Sequence, residues 1–133
     1  MVAHDLLHPQ GWRPALGYSN GVAASGRMVF LAGMIGWNAE QEFESDDFIE
    51  QAAQALRNIV AVLAEGGARP EHLVRLTWFV TDRNEYVANQ RGLGAAYREI
   101  IGKRFPAMTL VQVVALVEPR AKVEIEATAV VPL

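Results

Sequence analysis

The chain has 133 residues, no cysteine, a net charge of −3 at pH 7 and a pI near 5.6. Apolar residues make up 51% and charged residues 20%, the latter below the roughly 25% usual for soluble domains. These values exclude disorder, disulfides, thiolate metal sites and thiol nucleophiles, and argue against a nucleic-acid surface, which needs a basic stripe. No run of about 18 apolar residues points to a membrane span. His4, Asp5 and His8 stand where a signal peptide would carry a basic and then an apolar stretch. The expectation is a cytoplasmic protein of one domain over residues 1–133.

Residues 1–20 read as irregular, because Pro9, Gly11, Pro14 and Gly17 interrupt every regular pattern. Gly21 to Gly33 reads as a β-hairpin turning at Ser25-Gly26-Arg27. Behind Ser45-Asp46-Asp47, the residues Phe48, Ala52, Leu56, Ile59, Val60 and Leu63 recur at helical spacing. Asp47 and Glu50 resemble a capping box, and Gly66-Gly67 with Pro70 ends the helix. Leu73 to Thr81 alternates as a strand. Asp82 caps a second predicted helix running to Gly102, weakened by Gly92 and Gly94 at about 1 kcal/mol each. Ala107 to Val117 is apolar on both faces, and Lys122 to Val131 alternates again.

The predicted order is ββαβαββ, an α+β fold. Two helices, each about 10 Å across, cover one face of a sheet with strands about 4.8 Å apart. They cannot cover two. A strand apolar on both faces implies burial on both, so the free face is expected to meet other copies of the chain in a closed homo-oligomer.

Catalytic signatures are sparse. Ser25 lacks the first glycine of a nucleophile elbow, and Gly92-Leu93-Gly94 lies in a helix pattern rather than after a strand. His4 and His8 are four apart but have no helix to hold them as metal ligands, and His72 reads as a solvent-facing loop residue. Glu124 and Glu126 share the sheet face opposite the helices, with Lys122 as an available ion-pair partner. A salt-bridged strand edge and a carboxylate acting on water are both open readings of that pair.

Several segments resemble the RidA/YjgF family, also described as endoribonuclease L-PSP. They are Gly17-Tyr18-Ser19-Asn20, Leu31-Ala32-Gly33, the helix from Ala53 to Gly67, Val80-Thr81-Asp82, Phe105 to Val113 and Val123 to Ala127. The resemblance runs from about Leu16 to Val131. It implies a chorismate mutase-like sheet backed by two helices, a homotrimer with a central barrel, and a small-molecule ligand in clefts between subunits. It implies hydrolysis of enamines and imines without metal or cofactor, and no membrane or nucleic-acid partner.

Carried over residue by residue, the resemblance places Glu124 at the glutamate that holds the hydrolytic water, with Glu126 as the register alternative. Tyr18 falls at a cleft-lining tyrosine. Gly33, Ala32, Met108, Thr109 and Leu110 fall at substrate-binding positions. Met108 stands where the family arginine grips a carboxylate, Leu110 where it has cysteine, and Ala32 where it has serine. Gly94 stands at an asparagine, three residues before Tyr97. An apolar substrate follows from these changes, and Trp37 is a candidate for the cleft mouth. A non-catalytic trimer binding an apolar metabolite is the alternative. Ribonuclease activity or translational inhibition fits an acidic chain poorly.

Overall fold

The computed structural model describes residues 4–133. Positions 1–3 of the segment expected to be irregular lie outside the described residues. The strands are β1 (Asp5–Leu7), β2 (Gly21–Ala23), β3 (Arg27–Phe30), β4 (Met34–Ile35), β5 (Leu73–Val80), β6 (Ala107–Gln112) and β7 (Val123–Val131). The helices are α1 (Phe48–Glu65), α2 (Arg83–Ala88) and α3 (Gln90–Ile100), with a 3-10 turn at Pro70–His72. The main sheet runs β3-β7-β5-β6, and β4 pairs with β7 below β3. All contacts are antiparallel except β5 with β6. This is the α+β sheet backed by helices that the periodicities predict.

The core lies between α1 and the sheet. Leu56, Ile59 and Leu63 are fully buried against Leu76, Val80, Val123 and Ile125. Each such aliphatic side chain contributes about 1.5–3 kcal/mol relative to exposure. The start of α1 is set by Asp47, whose carboxylate accepts from the Glu50 amide at 3.0 Å. Its end is set by Gly67 at φ 73°, a left-handed position that glycine adopts without penalty, whose amide donates to Ala64 O at 3.0 Å.

Four expectations are corrected. The hairpin of residues 21–33 does not form. Instead β2 pairs with β1 (Leu6 opposite Val22), and β3 pairs with β7 (Val29 opposite Ala129). Gly26, at φ 147°, explains this. A Cβ there would meet the Val131 carbonyl carbon at 2.8 Å, so the turn hugs the end of β7 and sends the chain from one sheet to the other. The N-terminal segment therefore carries a strand.

The second helix is divided at Asn89 (φ −115°, ψ 17°), whose side chain donates to Glu85 O at 2.7 Å. A side-chain amide that competes for a helical carbonyl in this way favours a break. Gly92 has a packing role here as well. A Cβ would lie 2.5 Å from Ile49 Cδ1, so its absence lets α3 approach α1.

The strand expected over Ala107–Val117 stops at Gln112, whose Oε1 accepts from the Arg83 amide at 2.7 Å. Val114 and Val117 are exposed loop residues, so their apolarity does not reflect strand burial. β6 is an edge strand. Within one chain the face that carries Met108 and Leu110 is only half-buried, and Thr109 and Val111 on the other face are exposed.

His72 is the fourth correction, because it is only 6% exposed. Its Nδ1 accepts from the Arg69 amide at 2.9 Å, closing the 3-10 turn. Burial lowers its pKa below the usual 6.5, with Arg69 and His4 pushing the same way and Glu71 opposing. Below about pH 6.5 the unfolded chain therefore binds a proton before the folded chain does, and stability is lost as pH falls. Urea midpoints at fixed protein concentration are expected to drop between pH 7.5 and 5.5, and to drop less in His72→Asn. An equal drop in both proteins would remove His72 as the cause.

Candidate functional site

The sheet has two faces, and the sequence-predicted residues divide between them. In β6, Met108 and Leu110 lie opposite Leu76 and Trp78, on the face that meets the helices. Thr109 lies opposite Thr77 on the open face. In β7, Glu124 and Glu126 are on the open face, as their alternation requires.

On the helix side, a cleft of about 500 Å³ runs between β6 and α2–α3, within the range of small-molecule sites. Its inner wall is Trp78, Met108 and Leu110 from the sheet. Tyr97 and Phe105 form a stacked pair there, ring centroids 5.3 Å apart and planes 11° apart. Tyr97 is buried and its hydroxyl donates to Arg104 O at 2.7 Å. Burial pushes that hydroxyl well above the usual tyrosine range, so it stays protonated.

The outer wall is the strap of residues 16–18. Gly17, at φ 78°, turns this strap, and Ser19 pins it. The Ser19 amide donates to Pro106 O at 3.0 Å and its hydroxyl donates to Phe105 O. Tyr18 is thereby set over the cleft, 43% exposed. From α3, Gln90, Leu93, Gly94, Tyr97 and Arg98 reach the same space.

On the open face, Glu124 is half-buried between Ile35 of β4 and Phe79 of β5. Its carboxylate lies directly against Gly33. A Cβ at position 33 would sit 2.8 Å from the carboxyl carbon, so only glycine admits this approach. Ala32 is the exposed neighbour of Gly33, and Glu126 is exposed beside Thr77. Lys122 is not the partner of either glutamate, because its Nζ pairs with Glu85 on α2 at 3.3 Å. That leaves the Glu124 carboxylate without an ion pair among the described residues.

The structure thus brings Tyr18, Met108 and Leu110 together in the cleft, and Glu124 with Gly33 on the opposite face. Glu124, Gly33, Ala32 and Thr109 do not line the cleft. Trp37 does not reach it either. It packs on Phe43 at 6.0 Å, and Asn58 donates to its carbonyl at 2.8 Å. His4 and His8 serve separate backbone carbonyls, Val130 O and Trp12 O, each at 3.0 Å.

Sequence reasoning missed Trp78, Tyr86, Phe105, Gln90 and Arg98 as cleft residues. The signal was present on α3. Positions 90, 93, 94, 97 and 98 follow the spacing of one helical face, which reads as core but here continues past the core into the cleft.

Residues 10–131 match the model of the family described as Endoribonuclease L-PSP. The chain belongs to this family, which is also that of RidA and YjgF. The Rid-family chain is 37% identical over 137 residues to the protein DfrA of Myxococcus xanthus, covering 97% of each. It is 32% identical to a 2-iminobutanoate/2-iminopropanoate deaminase of Dermatophagoides farinae, covering 94% of this chain and 91% of that one. Among solved structures, the Rid-family protein YyfB of Yersinia pestis superposes with a TM-score of 0.86 at 32% identity, covering 96% and 98% of the two chains. The sheet backed by helices is therefore the chorismate mutase-like fold of the family. No helix of the described residues is long and apolar enough to cross a membrane.

Proposed function

We propose that this Rid-family protein is an imine/enamine hydrolase acting on an apolar substrate, and that its complete sites lie between subunits of a homotrimer. The observation that carries this reading is the Glu124 carboxylate, unpaired by any cation among the described residues and lodged against Gly33. A carboxylate so placed can accept a proton from water. As the water oxygen adds to the imine carbon, Glu124 takes a proton and returns it to nitrogen, giving the carbinolamine. It then carries the hydroxyl proton to nitrogen as the C–N bond breaks, and a carbonyl compound and ammonia leave. No cofactor enters these steps. Tyr18 contacts the substrate, Gly33 makes room for the carboxylate, and Ala32 and Thr109 border the seam.

The oligomer is supported by the open face. Phe30 (70% exposed) and Met28 (57% exposed) project from β3, and Val111 from the edge strand β6. Apolar surface of this kind is what an interface covers. Because Glu124 and the cleft lie on opposite faces of one sheet, a site containing both draws them from two copies.

The apolar substrate is supported by Met108 and Leu110, which offer the cleft no charge. The family description names a nuclease, but Arg98 is the one formally charged residue that lines the cleft, too little cation for a phosphate backbone. The deaminase names of relatives support the reaction class.

The test uses imino acids generated in place from phenylalanine, leucine and alanine by an amino-acid oxidase, with ammonia and keto-acid release followed over the uncatalysed rate. Faster release from the phenylalanine and leucine imines than from the alanine imine is expected. Saturable binding with no acceleration for any of them would replace this reading by a non-catalytic binding protein.

A further inference from the structure

The cleft contains one cation that the reading above does not use. Arg98, on α3, forms no ion pair with any described residue. Its guanidinium folds back along its own helix to the position where residue 94 would carry a side chain. A Cβ on Gly94 would lie only 3.3 Å from Arg98 Nη1. The glycine one turn earlier leaves room for the guanidinium beside the cleft it lines, where the side chain stays exposed and open to a ligand. Beside it stand the stacked rings of Tyr97 and Phe105, with Tyr86 on the adjoining helix. Neither the Tyr18 nor the Tyr86 hydroxyl donates to another described residue, so both are available to a ligand.

We propose that the cleft selects an aromatic carboxylate, with Arg98 as the residue that binds the carboxylate. The planar guanidinium fork matches a carboxylate in two parallel hydrogen bonds, while a phosphate would call for more donors than this wall supplies. The flat apolar wall accepts a ring, since offset stacking on Tyr97 and Phe105 rewards planar over branched groups. This deepens the hydrolase reading by assigning the substrate class, and it rests on the cleft being the ligand site. Met108 leaves β6 without charge, and Arg98 supplies the cation from the helix side instead.

The probes are phenylacetate and its neutral isostere phenylacetamide, titrated into the full-length protein at fixed salt and followed by NMR shifts of the Tyr97, Phe105 and Trp78 rings. Wild type is expected to prefer phenylacetate by about tenfold or more, the discrimination a charge-assisted hydrogen-bond pair provides. In Arg98→Met the preference is expected to collapse toward unity, and in Arg98→Lys to recover in part. Gly94→Ala is a second probe that improves local helix propensity while crowding the guanidinium. It is expected to fold at least as well as wild type and still lose preference.

A preference that survives Arg98→Met overturns the proposal, and so does a wild type that binds the two probes alike. The two readings fail separately. Loss of imine hydrolysis with Arg98-dependent binding intact would sink the hydrolase alone. Hydrolysis of the phenylalanine-derived imine at undiminished kcat/KM in Arg98→Met would sink the role of Arg98 alone.

Discussion

Replacing Glu124 by glutamine is expected to slow imine hydrolysis by about 10²–10⁴-fold, the usual contribution of a positioned general base. The substitution keeps shape and removes only the ability to take a proton. The fold is expected to tolerate it, because Glu124 makes no ion pair among the described residues and only part of the side chain is buried. Gly33→Ala attacks the same group from the other side. Its Cβ would press on the Glu124 carboxyl carbon, so the carboxylate must move or the strand link must shift. An intermediate loss is expected, with kcat falling more than KM rises. Glu126→Gln separates the two neighbouring carboxylates. Glu126 is exposed and has no glycine beside it, so its loss is expected to matter far less. If Glu126→Gln and not Glu124→Gln abolished release, the role would belong to Glu126.

Replacing Gln51 by leucine is expected to cost about 3–5 kcal/mol of stability, a large part of the 5–15 kcal/mol that domains possess. Gln51 is only 1% exposed, on the face of α1 that meets the loop before β7. Its amide nitrogen donates to Ser45 O at 3.1 Å and to Arg120 O at 3.0 Å, and its Oε1 accepts from the Lys122 amide at 2.8 Å. One side chain therefore serves three backbone groups, two of them at the entry to β7. Leucine leaves all three without a partner in a place water reaches poorly, each at about 1–3 kcal/mol, offset in part by the apolar gain.

The site cannot relax by drawing α1 closer to residue 36, because Gly36 already lies against the helix backbone. A Cβ there would sit 2.6 Å from Gln51 Cα. Gln51→Glu is informative beside it. Its carboxylate still accepts from Lys122 but cannot donate to the two carbonyls, so it too is expected to destabilise. Urea denaturation at pH 7.5 measures both. A loss below about 1 kcal/mol for Gln51→Leu would show that water replaces the three bonds, as it can at an accessible site.

The elements with a strong internal period were readable from the chain alone. The cap at Asp47, the stop at Gly66-Gly67, and the alternation in β5 and β7 are local signals, and the structure places them as read. The shared face of Glu124 and Glu126 follows from that alternation, and so does the presence of an uncovered sheet face. The family was legible too, since its motifs are contiguous.

What the sequence did not reveal involves partners far apart in the chain. That β2 joins β1 depends on Gly26 meeting Val131, more than a hundred positions away. That His72 is buried depends on how its turn packs, and nothing in a lone loop histidine announces it. The break at Asn89 is the local exception, where a side-chain bond to the Glu85 carbonyl four residues back competes with a helix the periodicity favours.

The candidate site shows the same division most sharply. The resemblance of contiguous motifs to the Rid family was what named Tyr18, Met108, Leu110, Gly33 and Glu124. Only the pairing register could assign Met108 and Leu110 to the cleft and so set them on the face opposite Glu124, because a one-residue shift in β6 would exchange its faces. The sequence by itself determined α1, β5, β7, the charge and the absence of thiols, since each is a property of a segment or a sum over residues. The tertiary structure alone decided which strand lies at the edge, which way Arg98 turns, and which groups share a cavity. Those depend on strand pairing and on close approaches, such as Gly33 to Glu124 and Gly36 to Gln51, that no local pattern encodes.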